Sequence, residues 1–166
     1  LCSVRPPRPG RAPVFTQDSP PDLRNTGATL PKGAPMILRY TILYVEDVPR
    51  TIAFYEAAFG LQRRFVSEEG DFGELDTGAT ALAFSSLQLM AQLGKNPQRA
   101  SASAPSFEIA FTTPDVPAAV ERAVAAGARL VQGAEQMPWG QTVAYVADIN
   151  DALVELCTPM APPPAA

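Results

Sequence analysis

With 166 residues, 46% of them hydrophobic and 18% charged, the chain has room for one ordinary domain with a real core and is too apolar to be disordered throughout. Residues 1–35 stand apart: they hold eight of the 18 prolines and five basic residues against Asp18 and Asp22, and read as a disordered Pro-rich N-terminal extension, leaving eight basic and fifteen acidic residues whose net charge of −7 repels phosphate backbones and argues against a nucleic-acid partner. No window reaches the ~18 apolar residues of a membrane span, the N-terminus lacks the apolar run of a secretory signal, and Cys2 and Cys157 make no disulfide framework, so no membrane partner and a cytoplasmic location are expected.

Met36 follows the extension and is the expected start of the native domain, which should run over 36–160 before a disordered tail at 161–166. Tyr40 to Val45 alternates as a strand. Asp47 then offers an N-cap, with Pro49 in the first helical turn, where its missing N–H costs nothing. Val48, Ile52, Tyr55 and Phe59 recur on one helical face, and Gly60 ends the helix. Strand candidates follow at 61–67, 72–77 and 79–86, with Arg63-Arg64 read as a solvated strand edge. Gly94 to Ser106 is a polar, breaker-rich connector.

The same design returns 68 residues later. Phe107 to Phe111 is a strand, Asp115-Val116-Pro117 repeats the cap and the proline, and Gly127 stops the second helix. Strands are expected at 129–132, 141–147 and 152–158, with a loop from Gly133 to Gly140. Cap, proline and apolar stripe rarely repeat together by chance. The chain is therefore read as α+β, with two tandem βαβββ modules over 37–93 and 106–158 whose sheets curl around a shared concavity.

Within the second module, alternation puts Glu108 on a strand face with Ala110 and Thr112, and Glu155 with Leu153 and Cys157, away from the larger apolar residues. Neither glutamate has an obvious basic partner. Each is either the floor of a cavity or an ordinary solvated strand residue. Because the chain has no histidine, a two-His-one-carboxylate iron site, a His-bound zinc site and a Ser-His or Cys-His nucleophile are all excluded.

Val-Glu-Asp-Val, Phe-Tyr and Phe-Gly-Leu in the first copy, with Phe-Glu-Ile-Ala-Phe, Asp-Val, Ala-Gly-Ala, Trp-Gly-Gln and Val-Glu-Leu in the second, make residues 37–158 resemble the vicinal oxygen chelate superfamily. That superfamily includes glyoxalase I, bleomycin-resistance proteins and extradiol dioxygenases. The resemblance implies a cupped mixed sheet of the glyoxalase/bleomycin-resistance type, commonly in a homodimer. It also implies ligand positions on the first and last strand of each module. These fall on Tyr40 and Glu108 in the first strands, and on Leu82 and Glu155, four residues beyond Gly78 and Asp151, in the last. The turn Asp148-Ile149-Asn150-Asp151 has Ile and Asp where the family has Pro and Gly.

A metal at this quartet would rest on Glu108 and Glu155, oxygen donors suited to a hard divalent ion. Trp139 is either an aromatic cover over the cavity or an ordinary sheet residue. Tyr40 is either a cavity hydroxyl or core. The resemblance and the missing histidines point to a metal-free protein that binds and sequesters a small molecule, a cationic aromatic compound, and needs no cofactor. The alternative is a metal-dependent lyase or isomerase of the glyoxalase type with an incomplete site. A third reading is a metal-free enzyme using a glutamate of raised pKa.

Overall fold

The repeated Asp-Val-Pro segments act as the sequence requires. In a computed structural model that describes residues 36–160, Asp47 Oδ1 accepts from the Arg50 amide at 2.9 Å and Asp115 Oδ1 accepts from the Ala118 amide at 3.0 Å. Each cap opens a helix, α1 (Val48–Phe59) or α3 (Val116–Ala126). Each helix ends on a left-handed glycine, Gly60 at φ 71° and Gly127 at φ 114°. The expected N-terminal extension and the tail at 161–166 lie outside the described residues.

The first module is β1 (Tyr40–Val45), α1, β2 (Gln62–Val66), β3 (Phe72–Asp76) and β4 (Ala81–Ser86), followed by a short helix, α2 (Leu87–Gln92). The second is β5 (Ile109–Thr112), α3, β6 (Arg129–Gln136), β7 (Thr142–Ala147) and β8 (Leu153–Cys157). Each module folds into its own four-stranded mixed sheet, in the orders β1-β4-β3-β2 and β5-β8-β7-β6. The first strand lies parallel to the last and the remaining pairs are antiparallel. This is the expected α+β architecture of two βαβββ units.

Two elements differ from the sequence expectation. Ser86 ends β4 and also caps α2, its hydroxyl accepting from the Leu89 amide at 3.0 Å. The Leu87-Gln88-Leu89-Met90 run, given no element in the sequence reading, thus turns helical. β6 continues to Gln136 through Gly133, so the expected loop from Gly133 to Gly140 shrinks to a tight hairpin turn, with the Met137 amide donating to the Gln141 carbonyl at 2.7 Å.

Within the described unit the modules meet through their helices, α1 packing on α3, and no strand of one sheet pairs with the other. Tyr55 sits at this junction, fully buried, with its ring packed against Phe54, Phe59, Phe84 and Phe111. Its hydroxyl donates to Asp148 Oδ2 at 3.0 Å across 93 residues of sequence. Fully burying a side chain such as Ile52, Leu75, Phe84 or Leu156 stabilises by about 1.5–3 kcal/mol each, so this shared core dominates the fold. Gly73 lets β3 approach α1 closely: a Cβ there would lie 2.5 Å from Ile52 Cδ1 and 3.1 Å from the Phe65 carbonyl oxygen.

The helices therefore cover one face of each sheet and leave the other open. On β1, Leu43 and Val45 are buried while Tyr40, Ile42 and Tyr44 are exposed. On β8, Val154 and Leu156 are buried, and Leu153 and Glu155 are half-buried on the opposite face. The expected shared concavity is not closed within one chain, because the sheets are joined through their helices rather than edge to edge.

Candidate functional site

Strand pairing decides which side chains share the open faces. In the first module Ile42 lies beside Ala83, Ala83 opposite Glu74, and Glu74 opposite Phe65. In the second, Ala110 lies beside Glu155 and Glu155 opposite Tyr145. Directly paired residues point to the same side of a sheet. One open face thus carries Tyr40, Ile42, Tyr44, Phe65, Phe72 and Glu74. The other carries Ala110, Thr112, Tyr145, Leu153, Glu155 and Cys157.

This register corrects one predicted position. Thr41 pairs with Leu82 as Ile109 pairs with Val154, so Leu82 is the counterpart of Val154, not of Glu155. Leu82 is buried in the core on the helix side. The residue equivalent to Glu155 is Ala83. Two residues, Ala79 and Thr80, separate the left-handed Gly78 from β4, whereas Ala152 alone separates the left-handed Asp151 from β8. A one-residue slip in a strand exchanges its two faces.

Glu155 is the best-organised acid of the open faces. Tyr145 Oη donates to its Oε2 at 2.9 Å. Burial pushes the Tyr145 phenol up to about 12, helped by the bond to Glu155 and by the charges of Glu155 and Glu108. Tyr145 is therefore a neutral phenol donating to Glu155 throughout the physiological range, and is no base. Burial, with Glu155 beside it, also raises the Cys157 thiol to about 11, so Cys157 is no thiolate nucleophile. Glu108 is exposed just before β5, near enough for its charge to reach Tyr145. Among the described residues no ion pair involves Glu108 or Glu155. Alkaline titration of the tyrosines should find one phenol near 12, and Glu155→Gln should bring it toward the ordinary 10. An unchanged titration would mean that the bond to Glu155 is not formed.

Tyr40 is exposed on the other sheet, beside Ile42 rather than beside Glu108. Trp139 is 61% exposed at the β6–β7 turn, where its Nε1 donates to Gln141 Oε1 at 2.9 Å, so it does not cover the Tyr145–Glu155 pair. Phe107, expected to open the strand, lies outside it and is exposed, because β5 begins only at Ile109. The structure thus groups Glu108 with Glu155 and places Tyr40, Leu82 and Trp139 elsewhere.

Sequence reasoning missed Tyr145 and Glu74, which occupy equivalent positions opposite Glu155 and Ala83. Alternation within β7 places Tyr145 on the Val143 and Ala147 face, but only the pairing with β8 reveals its partner. Arg64 is likewise no simply solvated edge residue, since its guanidinium reaches Glu74 at 3.5 Å and Asp76 at 3.2 Å. Arg63 pairs with Glu56 at 2.7 Å.

The turn before β8 bends at a residue other than glycine. Asp151 takes the left-handed conformation at φ 64°, as the single non-glycine to do so among the described residues. Its side chain accepts from the Ala102 amide at 3.2 Å and pairs with Arg129 at 2.5 Å, tying the connector and β6 to the turn.

Glu108 and Glu155 do not make a metal centre by themselves. Among the described residues no three His, Cys, Asp or Glu side chains are grouped closely enough to hold an ion. The donor set of one chain, among the described residues, does not fit a divalent ion. Two recesses of about 320 and 120 Å³ lie beside Tyr44, Arg99 and Asn150, the smaller also reaching Ile42 of the first sheet and Leu153 of the Glu155 face.

A model of the Glyoxalase/Bleomycin resistance protein/Dioxygenase superfamily matches residues 37–156. Among solved structures, a glyoxalase-related enzyme from Fulvimarina pelagi is 24% identical, covering 77% of this chain and 91% of its own, with a TM-score of 0.66. A glyoxalase/bleomycin resistance protein/dioxygenase family enzyme from Burkholderia phytofirmans PsJN is 24% identical over 74% of this chain and 98% of its own, TM-score 0.60. TioX from Micromonospora sp. ML1 is 22% identical over 72% of this chain and 96% of its own, TM-score 0.56. At these identities the likeness is one of fold. A comparison with curated proteins returns no match.

Proposed function

The chain belongs to the Glyoxalase/Bleomycin resistance protein/Dioxygenase superfamily, and on that premise we propose that it is a small-molecule binding protein that captures an organic cation without a metal. The observation that carries this reading is the Tyr145–Glu155 pair with Glu108 nearby, two carboxylates on an open sheet face with no ion-pair partner among the described residues. Such a face attracts positive charge. The fixed phenol orients one carboxylate, which reduces the ordering a ligand must impose.

An open face is not yet a pocket, because small-molecule sites bury most of their ligand. The proposed cover is a second copy of the chain. Tyr40, Ile42, Tyr44 and Phe65 on the first sheet are 36–46% exposed, large apolar side chains arrayed on one face. Arg39 and Arg64 border that face, whereas Glu108 and Glu155 mark the other. A two-fold dimer sets the apolar, base-edged face of each chain over the acidic face of its partner and forms two equivalent cups.

Titrating the protein with a panel of planar organic cations and neutral analogues of the same shape, followed by tyrosine and Trp139 fluorescence, tests the reading. Saturable responses to cations alone are expected. Equal responses to the neutral analogues, or none to any cation, would overturn it. Metal analysis of protein purified without chelators adds an independent check, since a stoichiometric divalent ion would contradict metal-free binding.

A further inference from the structure

The first sheet carries an acid that the binding reading does not use. Glu74 is 7% exposed, yet it lies on the open face between Ala83 and Phe65 rather than in the core. Its counter-ion is poorly seated. The Arg64 guanidinium stands 3.5 Å away, longer than the ~2.7–2.9 Å of a good charge-assisted bond, and its other nitrogen reaches out to Asp76 at 3.2 Å. Arg64 occupies the bulge between Arg63 and Phe65 on edge strand β2, and bulges re-aim side chains. Its side chain remains one-third exposed, and Asp76 is more exposed still, so Arg64 can swing out to water without losing every partner.

Around the carboxylate the walls are apolar. The Phe65 and Phe72 rings stand 5.9 Å apart and tilted, Ile42 lies two strands over, and the small Ala83 pairs with Glu74 on β4 between them. We propose that Glu74 and these rings form a subsite for a planar organic cation of the amidinium or guanidinium class, a place that the chain's own Arg64 holds in the free protein. Arg64 shows that a guanidinium reaches this carboxylate, through one nitrogen at 3.5 Å while the other is drawn to Asp76. An incoming cation that is not tethered to β2 can approach both carboxylate oxygens and set its charge against the exposed Phe65 ring. The inference goes beyond the binding reading, because it assigns a role to Glu74, on the face that the proposed dimer sets over its partner, and does not need the carboxylate of Glu108 or Glu155.

The test uses benzamidine, a planar aromatic cation, with neutral benzamide as its shape-matched control, on the full chain. Removing the internal competitor in Arg64→Ala should tighten benzamidine binding by about tenfold or more over wild type, and Arg64→Ala/Glu74→Gln should lose that gain. Benzamide should bind neither variant. Arg64→Gln, which keeps the side-chain stem, serves the same purpose where the alanine variant fails to fold. Equal benzamidine affinity with and without Glu74, no gain on removing Arg64, or equal binding of benzamide would each overturn the proposal.

Discussion

Asp148→Ala is expected to destabilise the protein by about 3–5 kcal/mol, a large share of the ~5–15 kcal/mol that holds a domain folded. Asp148 is buried and accepts three hydrogen bonds: from the Asn150 amide at 2.7 Å, the Ala152 amide at 2.8 Å and the Tyr55 hydroxyl at 3.0 Å. The first two shape the turn that leads into β8. The third fastens that turn to the centre of α1 in the other module. Alanine leaves all three donors without this acceptor, and each unsatisfied buried donor costs about 1–3 kcal/mol. Tyr55→Phe removes a single bond and should cost about 1–3 kcal/mol while keeping the ring packing. Urea unfolding of the two variants reads both values, and a loss below about 1 kcal/mol for Asp148→Ala would mean that the modules do not depend on this tie.

The same pair sets an unusual pH dependence. Burial raises the Asp148 carboxyl above its ordinary 3.8, against the bonds that lower it. The native state therefore holds this proton more tightly than the unfolded chain. The contribution is fully present below 3.8 and is lost as pH rises through the native value, the reverse of an ordinary ion-paired carboxylate. Burial of Tyr55, followed by the charge of Asp148, raises its phenol well above 10. Stability held by the neutral Tyr55 is present below pH 10 and falls at higher pH, so the alkaline limb should flatten in Tyr55→Phe.

The second large effect concerns assembly. Ile42→Glu should convert the proposed dimer to monomer and abolish cation binding together. Ile42 is 42% exposed at the centre of the β1 face, between Tyr40 and Tyr44, so the charge is tolerated by the folded chain. Across the proposed interface it meets the partner's acidic face, where desolvation and like charge oppose association. A central interface position of this kind typically carries about 2 kcal/mol or more, roughly thirtyfold or more in dimer affinity. Sedimentation of the wild type and variant gives the result. A variant that stays dimeric and binds normally would place the interface elsewhere.

Much of the fold is legible in the sequence because its signals are local. Asp47, Pro49 and Gly60, echoed by Asp115, Pro117 and Gly127, fix two helices through caps that need no tertiary contact. The strands follow from alternation and from the repeat. Register is less legible, because it depends on the residues between a left-handed turn and its strand. The first module has Ala79 and Thr80 at that point and the second Ala152 alone, which moves Leu82 into the core. Tyr145 and Glu74 escape a linear reading because what places them beside Glu155 and Ala83 is antiparallel pairing. The contact between Tyr55 and Asp148, separated by 93 positions, is visible only once the helices are packed.

The most direct test of cation capture by the Tyr145–Glu155 face is calorimetric titration of wild type, Glu155→Gln and Glu108→Gln with a cation that passes the fluorescence screen, at low and high salt. A charge-assisted contact of about 1.5–3 kcal/mol predicts roughly ten- to hundredfold weaker binding in Glu155→Gln, with a smaller loss in the more exposed Glu108→Gln that shrinks further at high salt. Affinities that remain within twofold of wild type in both variants would contradict the account.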